Sequence, residues 1–261
     1  MAFVSNEGQQ ISFDDPYYRL SERQRRYLKE SWAAYFADHI FPKIDESKFA
    51  KLYSDRPSRP NIPVNILVGA LLIRELTGES DQEFLRSLLF DFRYQYALHT
   101  SSYREQPLTE RTLGRFRMRC VNYEKEYGED LIGETVDDLS DELAFMLSLD
   151  RTFRRQKSSE LTDRIRSVGS LELLWVCLAN LLKELEAYDI PYPQDLTRYR
   201  LEGKERQALS YTRAEDTNKA LSKVREDAER AMDLCGDRFD ESSSFLLLAR
   251  VMRETEVNME G

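Results

Sequence analysis

The 261-residue chain carries 33% charged and 11% aromatic residues, a balance that excludes a disordered or fibrous protein and suits a helix-rich globular one. Its formal net charge of −9 excludes a uniformly positive surface, though not a local basic patch able to meet phosphates. No apolar run approaches the length of a bilayer span, and Met1 to Glu7 lack the basic start and apolar stretch of a secretory leader, so a cytoplasmic location and no membrane partner are expected.

Residues 1–19 read as an irregular lead-in, with Asp14-Asp15-Pro16 as a turn signal. Ser21-Glu22-Arg23-Gln24 has capping-box spacing, and Tyr27, Leu28, Trp32, Tyr35 and Phe36 then recur at helical intervals. A short helix follows with Phe49, Leu52 and Tyr53. The prolines of Arg56-Pro57-Ser58-Arg59-Pro60-Asn61-Ile62-Pro63 forbid a continuous helix and imply a stiff basic connector. A strongly apolar helix is predicted from Val64 to Leu76, stopped by Gly78. Ser80-Asp81-Gln82-Glu83 opens another, with Phe84, Leu85, Leu88 and Leu89 inward. After a loop through Pro107, Thr109 caps a helix whose apolar side holds Leu113, Phe116 and Cys120.

An acidic helix is predicted over 129–148, with seven acids, no base and a buried face of Leu131, Ile132, Val136, Leu139, Leu143, Phe145, Met146 and Leu147. Residues 150–170 reverse the charge, with six Lys or Arg against three acids. Leu171 to Leu185 is apolar on nearly every side, hence a central helix. Two amphipathic helices, near 214–234 and 242–256, meet at a turn around Gly236. With no β alternation, the expectation is an all-α multi-helix bundle. It is divided into a helix-turn-helix-like domain at 1–128 and a helical region at 129–261.

Cys120, Cys177 and Cys235 are widely spaced, and His39 and His99 have no Cys or His neighbours. No metal-ligand spacing results, and no metal or other cofactor is expected.

The pattern richest in chemistry is Leu108-Thr109-Glu110-Arg111-Thr112-Leu113-Gly114-Arg115-Phe116-Arg117-Met118-Arg119. Arg111 and Arg115 are four apart and share a helix face, flanked by Thr112 and Arg119. Guanidinium groups near a capped helix start can read guanine edges or clamp phosphates, as a recognition helix in the major groove must. Double-stranded DNA is the expected partner. The candidate contacts are Arg59, Thr109, Arg111, Thr112, Arg115, Arg117 and Arg119, with Arg154 and Arg155 from the second basic cluster. The bland alternative is a solvated face in which Glu105, Glu110 and Glu124 balance the arginines.

Residues 56–119 resemble the N-terminal domain of bacterial insertion-sequence transposases of the InsH-like kind. The carriers are Arg59-Pro60 before the long apolar helix, Ser80-Asp81 opening the next, Leu88-Leu89-Phe90-Asp91-Phe92-Arg93-Tyr94, and Thr112-Leu113-Gly114-Arg115-Phe116-Arg117. The resemblance implies a following RNase H-like domain in which three carboxylates hold two divalent metals for strand cleavage. The family's first carboxylate lies in an Arg-Met-Asp-Ser stretch shortly before an Arg-Leu-Glu-Leu helix start. Here Arg155-Gln156-Lys157-Ser158 and Ser170-Leu171-Glu172-Leu173 stand there, and the ungapped frame puts Lys157 in place of the aspartate. A seven-residue slip would make Asp150 the metal ligand instead, at the cost of those landmarks. Residues 187–256 resemble the family's helical insertion, and the remaining two carboxylates would fall beyond Gly261. The resemblance thus implies a truncated transposase without a catalytic residue of its own.

Three readings follow. The first is a catalytically inactive DNA-binding remnant or domesticated regulator using the helix at 109–120. The second is a helical interaction module that forms a homodimer. The third is one part of a split enzyme completed by another chain.

Overall fold

The computed structural model describes residues 2–6, 15–54, 60–149, 158–200, 216–235, 239 and 242–257. Among these every regular element is helical, and one isolated parallel bridge, Ala2 to Pro60, is the sole β pairing. The all-α expectation holds. Two compact units emerge, Met1–Ile165 and Arg166–Gly261.

In the first unit, α1 (Glu22–Lys29) opens with the expected Ser21–Gln24 capping box. A turn of α-helix, α2 (Trp32–Tyr35), continues as a π-helical turn, Phe36–Ile40, and a 3-10 segment, Glu46–Leu52. The central element is α3 (Val64–Thr77), buried on nearly every side. Pro63 ahead of it has no side-chain cap to offer. Glu46 reaches across instead, its carboxylate accepting from the Val64 amide at 2.9 Å and from the Asn6 amide at 2.8 Å. A carboxylate there satisfies orphan donors and faces the positive helix end. Gly78 ends α3 in the left-handed region, φ 72°, a conformation that costs an L side chain about 1 kcal/mol.

The Ser80–Glu83 capping box starts α4 (Asp81–Phe90). The expected loop after it contains a further helix, α5 (Phe92–Ala97), because Asp91 caps it by accepting from the Arg93 amide at 2.9 Å. Leu89, expected inward, is instead 55% exposed, while Asp81, Phe84 and Leu88 form the buried side of α4. The unit continues with α6 (Glu110–Tyr127), α7 (Leu131–Asp138) and α8 (Ser140–Leu149). The predicted acidic helix is thus two helices broken at Leu139, whose side chain is fully buried, and Phe145, expected on the buried face, is 51% exposed. One apolar cluster joins Trp32, Phe36, Phe49, Ile66, Leu71, Phe84, Phe116, Val136 and Met146. It extends to Leu161 and Ile165, so α7, α8 and the start of α9 contribute to the same core as the elements before residue 128.

The helix expected from Leu171 begins earlier and runs as α9 (Ser158–Ala187). Contrary to the sequence reading, Glu160–Ala187 is long and apolar enough to cross a membrane, although 72% of its apolar window is buried inside the protein.

The second unit holds the later turns of α9, a 3-10 turn at Gln194–Tyr199, α10 (Thr217–Asp233) and α11 (Ser243–Val257). Its polar anchor is the fully buried Asp227. Asp227 accepts from the Tyr199 hydroxyl at 2.6 Å and Arg230 at 3.0 Å, and pairs with Arg198. Burial pushes its carboxyl up, but the Tyr199 and Arg198 donors, with the Lys223 cation, outweigh it and hold the group below its ordinary range. Gly236, the expected turn, lies outside the described residues.

Candidate nucleic-acid interface

α6 starts at a reciprocal cap. The Thr109 hydroxyl accepts from the Thr112 amide at 3.2 Å, and the Thr112 hydroxyl accepts from the Thr109 amide at 2.8 Å. Both threonine side chains are therefore committed to fixing the helix start. From that start, Leu113, Phe116, Cys120 and Val121 turn inward, with Phe116 against Phe49 at 5.6 Å between ring centroids. The outward face is left to Arg111 and Arg115, both exposed, and to the half-buried Arg119.

Arg117 does not join them. It is 1% exposed, and its two terminal nitrogens grip the Asp81 carboxylate, Nη1 donating to Oδ1 at 3.1 Å and Nη2 to Oδ2. Its place in the expected DNA-contact set is corrected: helical periodicity puts residue 117 on the same side as 113, 116 and 120. Asp81 also meets Arg74 Nε at 2.7 Å, and Arg74 pairs with the neighbouring Glu75. Burial pushes the Asp81 carboxyl up, but Arg117 and Arg74 outweigh it and hold it below the ordinary carboxylate range. For Glu75 burial wins against the same two arginines, and its carboxyl is raised.

Arg119 lies over the Tyr53 ring, its guanidinium carbon 5.2 Å from the centroid. Burial raises the Tyr53 phenol while the Arg119 cation pulls the other way. Tyr53 is a neighbour of the arginine row that sequence reasoning missed. Its signal, a tyrosine at the end of an apolar-periodic segment, looks the same as an ordinary core residue.

Beyond Arg119 the charge reverses. Lys43 pairs with Glu142, Lys48 with Asp138 at 2.6 Å, and Lys51 with Glu129. Glu129, ahead of α7, and the acids of α7 and α8 thus neutralise a row of lysines from residues 43–51. Hydrogen bonds from Lys51 and Lys43 hold the Glu129 and Glu142 carboxyls low.

The other expected contacts, Arg59, Arg154 and Arg155, lie outside the described residues, as do Lys157 and Asp150. All three cysteines are free and buried. His99 Nε2 is 3.1 Å from the Ala37 carbonyl and its ring packs on Phe41. Among the described residues no three His, Cys, Asp or Glu side chains gather as metal donors.

Residues 23–119 match the family model described as Transposase domain (DUF772). No curated protein and no solved structure matches the chain. The matched span runs from α1 to Arg119 and contains both partners of the buried Arg117–Asp81 pair and the surface arginines Arg111 and Arg115. Residues 23–119 are thus similar to a transposase domain.

Proposed function

We propose that this protein is a transposase-derived DNA-binding protein that lays the N-terminal half of α6 against duplex DNA and does not itself cut the strand. One observation carries the reading. Arg111 and Arg115 stand exposed on a capped helix whose opposite face is locked in place by Phe116 and the Arg117–Asp81 pair. A helix so anchored presents guanidinium groups at fixed spacing, which groove recognition needs. The resemblance to InsH-like transposases and the transposase-domain match supply the choice of DNA. The absence of cleavage rests on Lys157 occupying the position of the first metal aspartate in the ungapped frame.

A salt titration of binding to duplex DNA tests this. Affinity should fall steeply between low and moderate salt, as counterion release demands. Arg111→Ala with Arg115→Ala should cost about 2 kcal/mol or more, against no change for Lys223→Ala on α10. A flat salt response rules out the DNA reading, and manganese-dependent strand cleavage by the isolated chain rules out the inactive one.

A second reading, a homodimeric interaction module, is supported by Leu89 and Phe90, 55% and 87% exposed side by side at the end of α4. Paired apolar side chains in solvent are characteristic of partner surfaces. Concentration-dependent mass in sedimentation, lost in Phe90→Asp, would favour it.

A further inference from the structure

Helix α1 carries Arg23, Arg25, Arg26 and Lys29 against one acid of its own, Glu22, with Glu30 at its C-terminal cap. In a chain of net charge −9 this is a reversal of sign within 8 residues. Leu28 is buried and docks the helix on the core, which leaves Arg23, Arg26, Tyr27 and Lys29 in solvent. Arg25 is committed within the fold. Its Nε donates to the Leu20 carbonyl at 3.0 Å and its Nη2 to the Tyr18 carbonyl at 2.9 Å, tying the lead-in to the helix. The remaining three cations recur at every third residue, so successive ones are surface neighbours, and Arg23 and Lys29 are about 9 Å apart along the axis.

One ring gathers two of them. Tyr27 is 53% exposed, and the guanidinium carbons of Arg23 and Arg26 lie 5.6 Å and 5.5 Å from its centroid. Two like charges held on one aromatic ring repel each other, and an anion shared between them removes that cost. Among the described residues no carboxylate comes within ion-pair distance of Arg23, Arg26 or Lys29, although Glu22 and Glu30 border the same shallow hollow as Arg26 and Lys29. Lys43, Lys48 and Lys51 differ in this respect, since each is neutralised by an acid. The form of the face selects the anion. With Leu28 turned inward, Tyr27 is its one exposed apolar body, and it lacks the apolar stripe that an interfacial helix sinks into a bilayer. A duplex, with one charge per about 1.7 Å of axis, offers phosphates densely enough to meet three cations spread over about 9 Å.

Resting on the DNA-binding reading above, we propose that the exposed face of α1 is a second, sequence-independent contact to duplex DNA, in which Arg23, Arg26 and Lys29 meet backbone phosphates. This face then contributes to affinity for any duplex, and Arg111 and Arg115 on α6 to discrimination between sequences.

The experiment measures the affinity of the full chain for duplexes of unrelated sequence across a salt series, in wild type and in the Arg111→Ala with Arg115→Ala background. Arg23→Gln, Arg26→Gln and Lys29→Gln together should lower the log–log salt slope by about 2–3 in both backgrounds and weaken binding by the same factor for every sequence. Arg23→Lys with Arg26→Lys, which keeps the charge, should leave the slope at its wild-type value and so separates lost charge from a damaged helix. A wild-type slope in the glutamine variant, a loss that depends on sequence, or an equal loss in the lysine variant overturns the proposal. The DNA-binding function stands in each case if Arg111→Ala with Arg115→Ala weakens binding. Co-sedimentation with phosphatidylserine-containing vesicles tests the other polyanion. Vesicle binding abolished in the glutamine variant, with its DNA salt slope unchanged, assigns the face to a membrane and overturns the proposal. A wild-type chain that fails to bind duplex DNA overturns this inference and the function together.

Discussion

Asp81 and Arg117 are 36 positions apart in sequence, yet their side chains meet in the core with almost no exposure. Removing one partner strands the other charge away from water, so Arg117→Ala should cost about 3–5 kcal/mol in denaturant unfolding. Arg111→Ala, on the surface, should stay within about 0.5 kcal/mol. The pair also sets a pH dependence. Asp81 is held below its unfolded value, so its contribution is present above about pH 4 and is lost as pH falls through the depressed folded value. The stability gap between wild type and Asp81→Asn, followed by urea unfolding, should therefore close as pH drops below about 4. Glu75, raised by burial, acts in the opposite sense and blunts the acid limb. The inward turn of Arg117 was legible, because residue 117 falls on the stripe of Leu113, Phe116 and Cys120. Charge masked it, since an arginine among arginines reads as surface until its partner is visible, and nothing local to Asp81 announces a distant cation. The Ser80-Asp81 and Phe116-Arg117 elements that carry the transposase resemblance thus meet in an internal ion pair, whereas Arg111 and Arg115, proposed to touch DNA, lie on the opposite face of α6.

At the scale of elements, starts and stops were the most readable features. Both serine capping boxes and the Gly78 terminus lie where residue chemistry puts them. Ser80→Ala should accordingly destabilise by about 1 kcal/mol. Two helices escape the sequence reading for different reasons. α5, in the expected loop before Pro107, is too short at 6 residues to show a helical period, and the first turns of α9 mix charges ahead of the apolar run that begins at Leu171. α7 raises a subtler case. Asp130 caps it by accepting from the Gly133 amide at 2.9 Å, and a Cβ on Gly133 would lie 1.9 Å from the other carboxylate oxygen. Gly133→Ala therefore gives up the cap, worth about 1 kcal/mol, while gaining about as much helix propensity. Alone it should change the melting temperature little. In an Asp130→Ala background, with the cap already absent, it should stabilise by about 1 kcal/mol, and additivity between the two would refute this account.

For the molecule as a whole, the first unit holds a continuous core from Leu28 to Ile165. A chain ended after Ile165 should keep its helical circular dichroism and melt cooperatively, with the salt slope for duplex DNA largely retained. The whole chain's net charge of −9 at first argues against a polyanionic partner, but charge is distributed unevenly within this unit. Arginines occupy the start of α6, and acids crowd the α7–α8 region that follows its end, where Lys43, Lys48 and Lys51 already neutralise part of them. The peptide dipole of α6 points the same way, positive at its start. On the DNA-binding reading proposed above, a duplex would attract the arginines at the start of α6 and repel the acids of α7 and α8, so these acids would shape the association rate constant without touching DNA. Neutralising Asp137, Asp138 and Asp141 together should tighten non-specific binding while lowering the fraction of collisions that arrive start-first.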